Sequence, residues 1–286
     1  MTIEGLEITD YQPPSRDAAI HAEEGGSEWI VQGNEVHGNG ETGVRVVSGS
    51  IVRGNSIHHN DRYGMNGSGS DLVVEGNEIA CNALEGAGGG ELGGTKFVHT
   101  TDLLLHGNEV HHNLGNGLWL DINNIGAVVE GNSLVANDLA GVFVEISCGG
   151  TVRENYLEAN GFGTDRLDGV QNAAIYISNS PGVEVVENTL EGNFKSIGAI
   201  HWEHPNRDAV DRCDPSLQNL WVHENTMKQS EGFVAGIEAT IDRPQVWDSW
   251  GNRFESNDYE IGSAARFRWE GETLRADQWV EHVQGS

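Results

Sequence analysis

A pattern of two asparagines five residues apart, each flanked by apolar residues, recurs along most of the chain and constrains its fold. Its shortest spacings are 21 to 24 residues, and in five repeats a glycine follows nine residues after the first asparagine. The leading asparagines are Asn34, Asn55, Asn77, Asn108, Asn132, Asn155, Asn188, Asn225 and Asn252. The second asparagines are Asn39, Asn60, Asn82, Asn113, Asn137, Asn160, Asn193 and Asn257, and Ser230 breaks the series.

Each repeat contains three short runs in which apolar and polar residues alternate, such as 127–130, 133–135 and 141–145. Alternation with a period of two indicates β-strands, and glycine and asparagine accept the left-handed conformation that tight corners need. Three strands per repeat predict an all-β, single-stranded parallel β-helix of about ten coils, in which stacking of the coils supplies the core. We expect the asparagines to stack at the corners and to join the coils through their side-chain amides.

Three strings, Gly93–Phe97 (GGTKF), Gly117–Ile122 (GLWLDI) and Val144–Ser147 (VEIS), carry a family resemblance. The chain resembles the right-handed parallel β-helix proteins of the pectin-lyase-like superfamily over residues 5–262, and is close to a poorly characterised bacterial and archaeal subfamily. The resemblance implies a polysaccharide partner and an extracellular or cell-surface location, although no signal peptide opens this chain. It does not specify the reaction, because the superfamily includes lyases, hydrolases, epimerases, esterases and phage adhesins.

The repeat ends near residue 262, so we predict one β-helix over 1–262 and a small cap over 263–286. In the cap, Phe267–Gly271 is expected to form a strand and a turn. A short amphipathic helix is expected over Thr273–Val283. Its inward residues would be Leu274, Trp279, Val280 and Val283.

The chain is strongly acidic, with 16 Lys and Arg against 44 Asp and Glu, which gives a net charge of −28. A nucleic-acid partner is not expected, because binding to phosphates needs clustered Lys and Arg. No membrane span is expected either, because no apolar run approaches the required length of about 18 residues. Many acidic residues with few lysines favour a salt-adapted surface over an ordinary acidic secreted protein. The sequence does not determine the oligomeric state.

The three cysteines, Cys81, Cys148 and Cys213, allow at most one disulfide and exclude a zinc site of the finger type.

Alignment of the third strand of each repeat predicts two columns of outward-facing residues. The second-position column is His21, Arg45, Asn66, Lys96, Trp119, Phe143, Tyr176, His201 and Glu238. The fourth-position column is Glu23, Val47, Ser68, Val98, Asp121, Glu145, Ser178, Glu203 and Thr240. Three longer connections, 83–93, 161–173 and 204–219, emerge at the ends of these strands, where solenoid loops commonly build a binding face.

The middle of this face combines aromatic and acidic residues. Trp119, Phe143 and Tyr176 would form an exposed platform on which sugar rings stack, with Arg45 and Glu203 as further substrate contacts. The alternative is that the inserted loops cover these aromatics as a second, smaller core. Asp121 and Glu145, on neighbouring coils, are the candidate catalytic carboxylates, and Lys96 and His201 flank the aromatics as further catalytic candidates.

Three functions are compatible with these columns. The first is glycoside hydrolysis by Asp121 and Glu145 in a groove on this face. The second is a lyase or epimerase acting on a uronic acid, with Lys96 or His201 as the base and a possible calcium on Asp121 and Glu145. The third is glycan binding without catalysis. No cofactor is required by the first or third function, and no dedicated metal site is predicted.

Overall fold

The computed structural model describes residues 1–22, 26–84, 92–163 and 169–284. Within them, 28 of the 29 strands stack in three parallel columns, with one strand of each column in most coils, and the last strand pairs antiparallel. Among the helices of these residues, none has the length and apolar character needed to cross a membrane. The chain is therefore the all-β, parallel β-helix that the repeat predicts.

The first column contains the strands that precede the leading asparagines. They are Thr2–Glu4, Ile30–Gln32, Ile51–Arg53, Val73–Glu75, Leu104–His106, Ile125–Glu130, Cys148–Arg153, Val183–Val186, Trp221–His223 and Arg253–Glu255. The second column follows these asparagines. Its strands are Glu7–Thr9, Glu35–His37, Ser56–His58, Glu78–Ala80, Glu109–His111, Ser133–Val135, Tyr156–Glu158, Thr189–Glu191 and the first parts of the long strands Thr226–Ala239 and Asp258–Trp269.

The third column faces the candidate site. Its strands are Ala18–His21, Thr42–Val46, Tyr63–Ser70, Gly93–Thr101, Leu118–Asp121, Val142–Glu145, Ile175–Ser178, Ile197–His201 and the second part of Thr226–Ala239. The inward side chains of all three columns form one continuous buried core of aliphatic residues. This is the expected result when each coil covers the apolar face of the next.

Asparagine side chains join the coils as the sequence predicts. Asn55 shows the pattern: its backbone N–H and its Nδ2 donate to Asn77 Oδ1 at 3.0 and 2.9 Å, and Nδ2 also donates to the carbonyl of Val31. The buried amide is thereby satisfied within the ladder, so its burial carries no desolvation penalty from a missing partner. The corner before it has positive φ, at Gly54 (φ 59°) and, where glycine is replaced, at Glu154 (φ 55°).

The last coil departs from the predicted register. Asn225 Nδ2 donates to Asn257 Oδ1 at 3.0 Å, so Asn257 and not Asn252 is the leading asparagine there. Asn252 instead accepts the backbone N–H of Leu220. Asn252 and Asn257 are five residues apart, like the two asparagines of one repeat. The pairing of Thr226 with Asp258 nevertheless fixes a different register.

The C-terminal region closes the last coil. Strand Glu272–Leu274 pairs antiparallel with Asp258–Trp269, which itself runs across the predicted domain boundary, and helices follow at Ala276–Trp279 and Val280–Gln284. Trp279 and Val283 are buried as predicted. The inward prediction for Val280 is wrong: it is 48% exposed, because it lies about 100° around the helix from Trp279. A helix over Arg243–Asp248 and a 3-10 turn at Arg207–Ala209 were not predicted.

Candidate functional site

The outward second-position column begins with a groove. The pairings His21 to Arg45, Arg45 to Asn66 and Asn66 to Lys96 place these side chains on four successive coils, as predicted. They line a cavity of about 680 Å³, within the size range of ligand sites. Four cationic side chains line it: Arg16, Arg45, Arg62 and Lys96. A quarter of the 16 Lys and Arg of this acidic chain therefore converge on one groove.

The arginines are positioned by neighbouring polar groups. Arg45 donates through Nε to Asn66 Oδ1 at 3.0 Å and through Nη2 to the backbone carbonyl of Arg16. Arg62 lies over the Tyr63 ring, 5.3 Å from its centre, and 3.6 Å from Glu41 Oε2. No carboxylate lines the groove among the residues that the structure describes. The side chains that line the groove therefore carry positive charge and no negative charge among the described residues.

A histidine–carboxylate pair stands at the groove. Asp17 Oδ1 contacts His21 Nδ1 and also accepts the backbone N–H of Ala18 at 2.8 Å. A carboxylate accepts a hydrogen bond, so Nδ1 carries the proton and Nε2 of the neutral ring is the acceptor. This is the arrangement in which a carboxylate orients an imidazole as a base. The sequence placed His21 in the outward column but gave it no role.

At its other end the groove stops at an ion pair. Lys96 Nζ lies 3.0 Å from Asp121 Oδ2 and 3.8 Å from the centre of the Trp119 ring. Burial and, after it, the nearby charge of Glu145 raise the pKa of Asp121 to about 6, although Lys96 opposes both. Asp121 Oδ1 is buried and has no hydrogen-bond partner among the described residues.

Glu145 is held through both carboxylate oxygens. Trp119 Nε1 donates to Oε2 at 3.0 Å, and His204 Nε2 lies 2.9 Å from Oε1. The backbone N–H of Asn206 donates to His204 Nδ1, so the proton of the ring is on Nε2 and is donated to Glu145. The strand pairing places Asp121 opposite Glu145, as the sequence predicts. Their surroundings are buried, however, and not an open sugar site.

The prediction of an exposed aromatic platform is wrong. Trp119, Phe143 and Tyr176 do form a stacked run on the outward side, with ring centres 5.6 and 4.8 Å apart. They are only 5%, 9% and 8% exposed, because Ala140, Val170, Ile200 and Trp202 pack over them. The covering-loop alternative therefore describes this face: the aromatics form a second small core outside the β-helix.

Residues 202–216, here called the covering segment, pack on this core through Trp202 and are anchored at the ends of the third-column strands on four successive coils. Arg212 donates to Thr101 Oγ1 at 2.9 Å, and Asn123 Nδ2 donates to the carbonyl of Ala209 at 3.0 Å. A disulfide joins Cys213 to Cys148. Asn179 Nδ2 donates to the carbonyl of Trp202 at 2.7 Å. One disulfide is the maximum that the sequence allowed, and Cys81 is free.

His201 and Glu203 do not join the site, which corrects two predicted placements. Ile197 pairs with Ile175, so Gly198 occupies the second position and Ile200 the fourth. His201 is fully buried at the inward-facing end of its strand, where it contacts Asp242 and Trp250. Glu203 is exposed beyond the strand. A Cβ on Gly198 would meet the Val170 carbonyl at 2.2 Å, so the residue without a side chain holds this position.

The two carboxylates at which the sequence allows a calcium are contacted by other side chains. Lys96 contacts the carboxylate of Asp121, and Trp119 and His204 contact that of Glu145. Calcium at this pair stays a prediction. In the described part of the chain, one group of three possible ligands lies close together, Glu7, Glu35 and His37, which is on the second column and away from the groove.

The sequence missed several residues of this site. Arg16 and Arg62 lie in connections outside the aligned strands, Asp17 precedes a strand, and His204 belongs to an insertion. Of these residues and His21, only His21 could have been found from the sequence, because it stands in the aligned second-position column. Glu23, residues 85–91 of the first insertion and residues 164–168 of the second lie outside the described residues.

Comparison with known structures supports the fold. The chain is similar to XylC, solved in complex with xylose, with a TM-score of 0.56 and 16% identity, covering 91% of this chain and 52% of XylC. It is also similar to the A-module of the mannuronan C-5 epimerase AlgE4 from Azotobacter vinelandii (TM-score 0.45, 16% identity, 85% of this chain and 56% of that chain). The periplasmic alginate epimerase AlgG is a third relative (TM-score 0.49, 17% identity, 82% and 50%).

The chain spans about half the length of these structures. At such low identities the likeness shows the fold alone. A search of the curated proteins finds no match. A family model described as a right handed beta helix region matches residues 18–190, more than half of the chain. With its parallel coils and asparagine ladders, the chain belongs to this family of right-handed β-helix proteins.

Proposed function

We propose that this protein is a carbohydrate-active β-helix that binds an acidic glycan in the cationic groove and removes the C5 proton of a uronic acid residue, as a lyase or an epimerase. The observation that carries the proposal is the convergence of Arg16, Arg45, Arg62 and Lys96 on one groove of a chain with a net charge of −28. Charges of one sign in a cleft concentrate a ligand of the opposite sign.

The proposed chemistry needs a charge neutraliser and a base. A uronate carboxylate held by the arginines can accept the negative charge that develops when the C5–H bond breaks. His21 Nε2, with its ring oriented by Asp17, would take the proton. In a lyase the electron pair then forms the C4=C5 bond and expels the O4 leaving group. In an epimerase a proton returns to C5 from the opposite face.

Hydrolysis by Asp121 and Glu145, the first hypothesis from sequence, has less support. Such a pair needs a sugar between the two carboxyl groups. Glu145 has both oxygens engaged by Trp119 and His204, and Asp121 is buried beneath the same cover. The third hypothesis, binding without catalysis, uses the same groove and is separated from the proposal by experiment.

A glycan panel in D₂O tests the proposal at low and at molar salt. Alginate and oligogalacturonate should bind. An epimerase should incorporate deuterium at C5, whereas a lyase should give ultraviolet absorbance from the C4=C5 bond, because C5 carries no hydrogen in the unsaturated product. Neutral xylan should neither bind nor react. Reducing ends with neither deuterium at C5 nor ultraviolet absorbance would support hydrolysis, and binding without any of these products would support the non-catalytic function.

A matched pair of variants tests the groove itself. Arg45→Gln should weaken uronate binding about tenfold or more at low salt, which corresponds to about 1.4 kcal/mol. Arg53→Gln is the control, because Arg53 is an exposed arginine of the first column that contacts Gln32 outside the groove. Equal affinity of the two variants would contradict the proposed binding site.

A further inference from the structure

The outward face of the third column changes abruptly after Lys96. Residues on the N-terminal side of this point line the open groove, as Arg45, Asn66 and Lys96 do. On the next coil, Trp119 and Asp121 hold the same outward positions but are each 5% exposed. The face remains closed through Phe143, Tyr176 and Ser178. The covered part of the face, from Trp119 to Ser178, is here called the wall. A ligand that lies along the column is blocked by this wall next to Lys96.

We infer that the groove is a dead end at Lys96, so that the protein binds the end of an acidic glycan chain and not an internal stretch of a polymer. This inference rests on the proposed function and names the part of the substrate that the site accepts. The open part, from His21 to Lys96, covers three coil spacings, or about 14 Å. The terminal residue would place its anionic group at Lys96, with the preceding residues beside Asn66, Arg45 and His21.

The wall is held in place by contacts of the covering segment with several coils. Arg212 bonds to the strand that carries Lys96, through Thr101 Oγ1 at 2.9 Å. Asn123, one coil further, accepts the backbone N–H of Asp211 and donates to its carboxylate at 3.0 Å. The Cys148–Cys213 disulfide fixes the next coil. From Ile197–His201 back to Gly93–Thr101, the covering segment crosses four coil spacings, about 19 Å.

Contacts beneath the segment fill the space that a longer glycan would need. His204 donates to Glu145 from above, and Trp202 Nε1 donates to Ser178 Oγ at 3.1 Å. Displacing them would leave Glu145 without His204 and Ser178 without Trp202, and would uncover part of the small core. A glycan that continued past Lys96 would have to break this set of contacts together.

End-tagged oligosaccharides test the inference on the unaltered protein. Short oligogalacturonates and oligomannuronates would carry a bulky fluorophore at the reducing end, at the non-reducing end, or at both, and compete with the untagged forms. A tag at one end should be tolerated. A tag at the other end, and tags at both, should weaken binding about tenfold or more. Doubly tagged chains that bind as tightly as untagged ones would overturn the dead end, whereas failure of the untagged chains to bind would overturn the proposed function and this inference with it.

A second experiment opens the wall. The triple variant Cys148→Ser, Cys213→Ser, Arg212→Ala removes two anchors of the covering segment but no residue that lines the groove. Quenching of tryptophan fluorescence by acrylamide reports whether Trp119 and Trp202 become accessible. If these tryptophans become accessible, the loss of affinity caused by the blocking tag should fall toward the loss caused by the tolerated tag. An unchanged loss of affinity would overturn the inference. Cys81→Ser, which alters the free cysteine, is the control and should keep the full penalty.

Discussion

Lys96 and Asp121 form an ion pair, 3.0 Å between Nζ and Oδ2, at the point where the cationic groove meets the covered acidic and aromatic cluster. One side chain faces the ligand space and the other belongs to the buried cluster. On the buried side, the carboxylate of Asp121 compensates the positive charge of Lys96. The net charge of the groove therefore depends on the protonation of Asp121, which the ligand does not reach.

The raised pKa of Asp121, about 6 against an ordinary value of 3.8, predicts a pH dependence of stability. Between these values the folded protein holds a proton that the unfolded chain has released. Its stabilising effect is fully present below about pH 4 and is lost as the pH rises through 6. The free energy of unfolding of the wild type relative to Asp121→Asn should therefore increase by at most about 3 kcal/mol from pH 7 to 4.

Denaturant unfolding of both proteins across this pH range measures the difference, in which the effects of acids distant from Asp121 cancel. A difference that does not change with pH would show that Asp121 titrates alike in the folded and unfolded chain.

Trp119→Ala should reduce stability, because the Trp119 ring is part of the small core. Loss of a buried tryptophan is expected to cost about 3–5 kcal/mol, and the Nε1 bond to Glu145 is lost with it. Trp221→Ala is the control, since Trp221 is only half-buried and stacks on His223 and Arg253 away from this core. Thermal unfolding that ranks Trp221→Ala as the more damaging change would contradict the packing described here.

His21→Gln should lower the rate of C5 proton removal, measured as exchange with solvent or as elimination, by about 10²-fold or more while uronate binding is retained, because a positioned base contributes about that factor. Asp17→Asn should lower the rate as well, since the amide no longer favours the proton on Nδ1. His106→Gln is the control: His106 is also paired with a carboxylate, Glu130 at 3.4 Å, but lies on the first column. Normal exchange by His21→Gln would place the base elsewhere.

The acidic surface predicts that salt stabilises the protein. Mutual repulsion of the excess carboxylates in dilute buffer should be screened in molar sodium chloride, where the Debye length is about 3 Å. Melting temperature should therefore rise steadily between low and molar salt. A flat or falling curve would indicate that the charge serves solubility without adaptation to salt.

The repeat in the sequence determined the coils, the two asparagine ladders and the outward columns from Arg45 to Ser178. It did so because strand alternation and corner residues are local properties that each coil repeats. The same logic failed at Gly198 and Asn257, where the spacing offered a second plausible register and only the pairing with neighbouring strands decides.

Only the tertiary structure decided which part of the outward face is open. Alternation specifies the side of a strand on which Trp119 lies, but not what is folded over that side. That depends on Ala140, Val170 and Ile200, which pack on the aromatic rings, and on the path of residues 202–216, which include Trp202. This path is fixed by contacts far apart in sequence: Asn123 with Asp211, Arg212 with Thr101 and Cys148 with Cys213. The same holds for the groove, because Arg16 and Arg62 reach it from connections that carry no repeat.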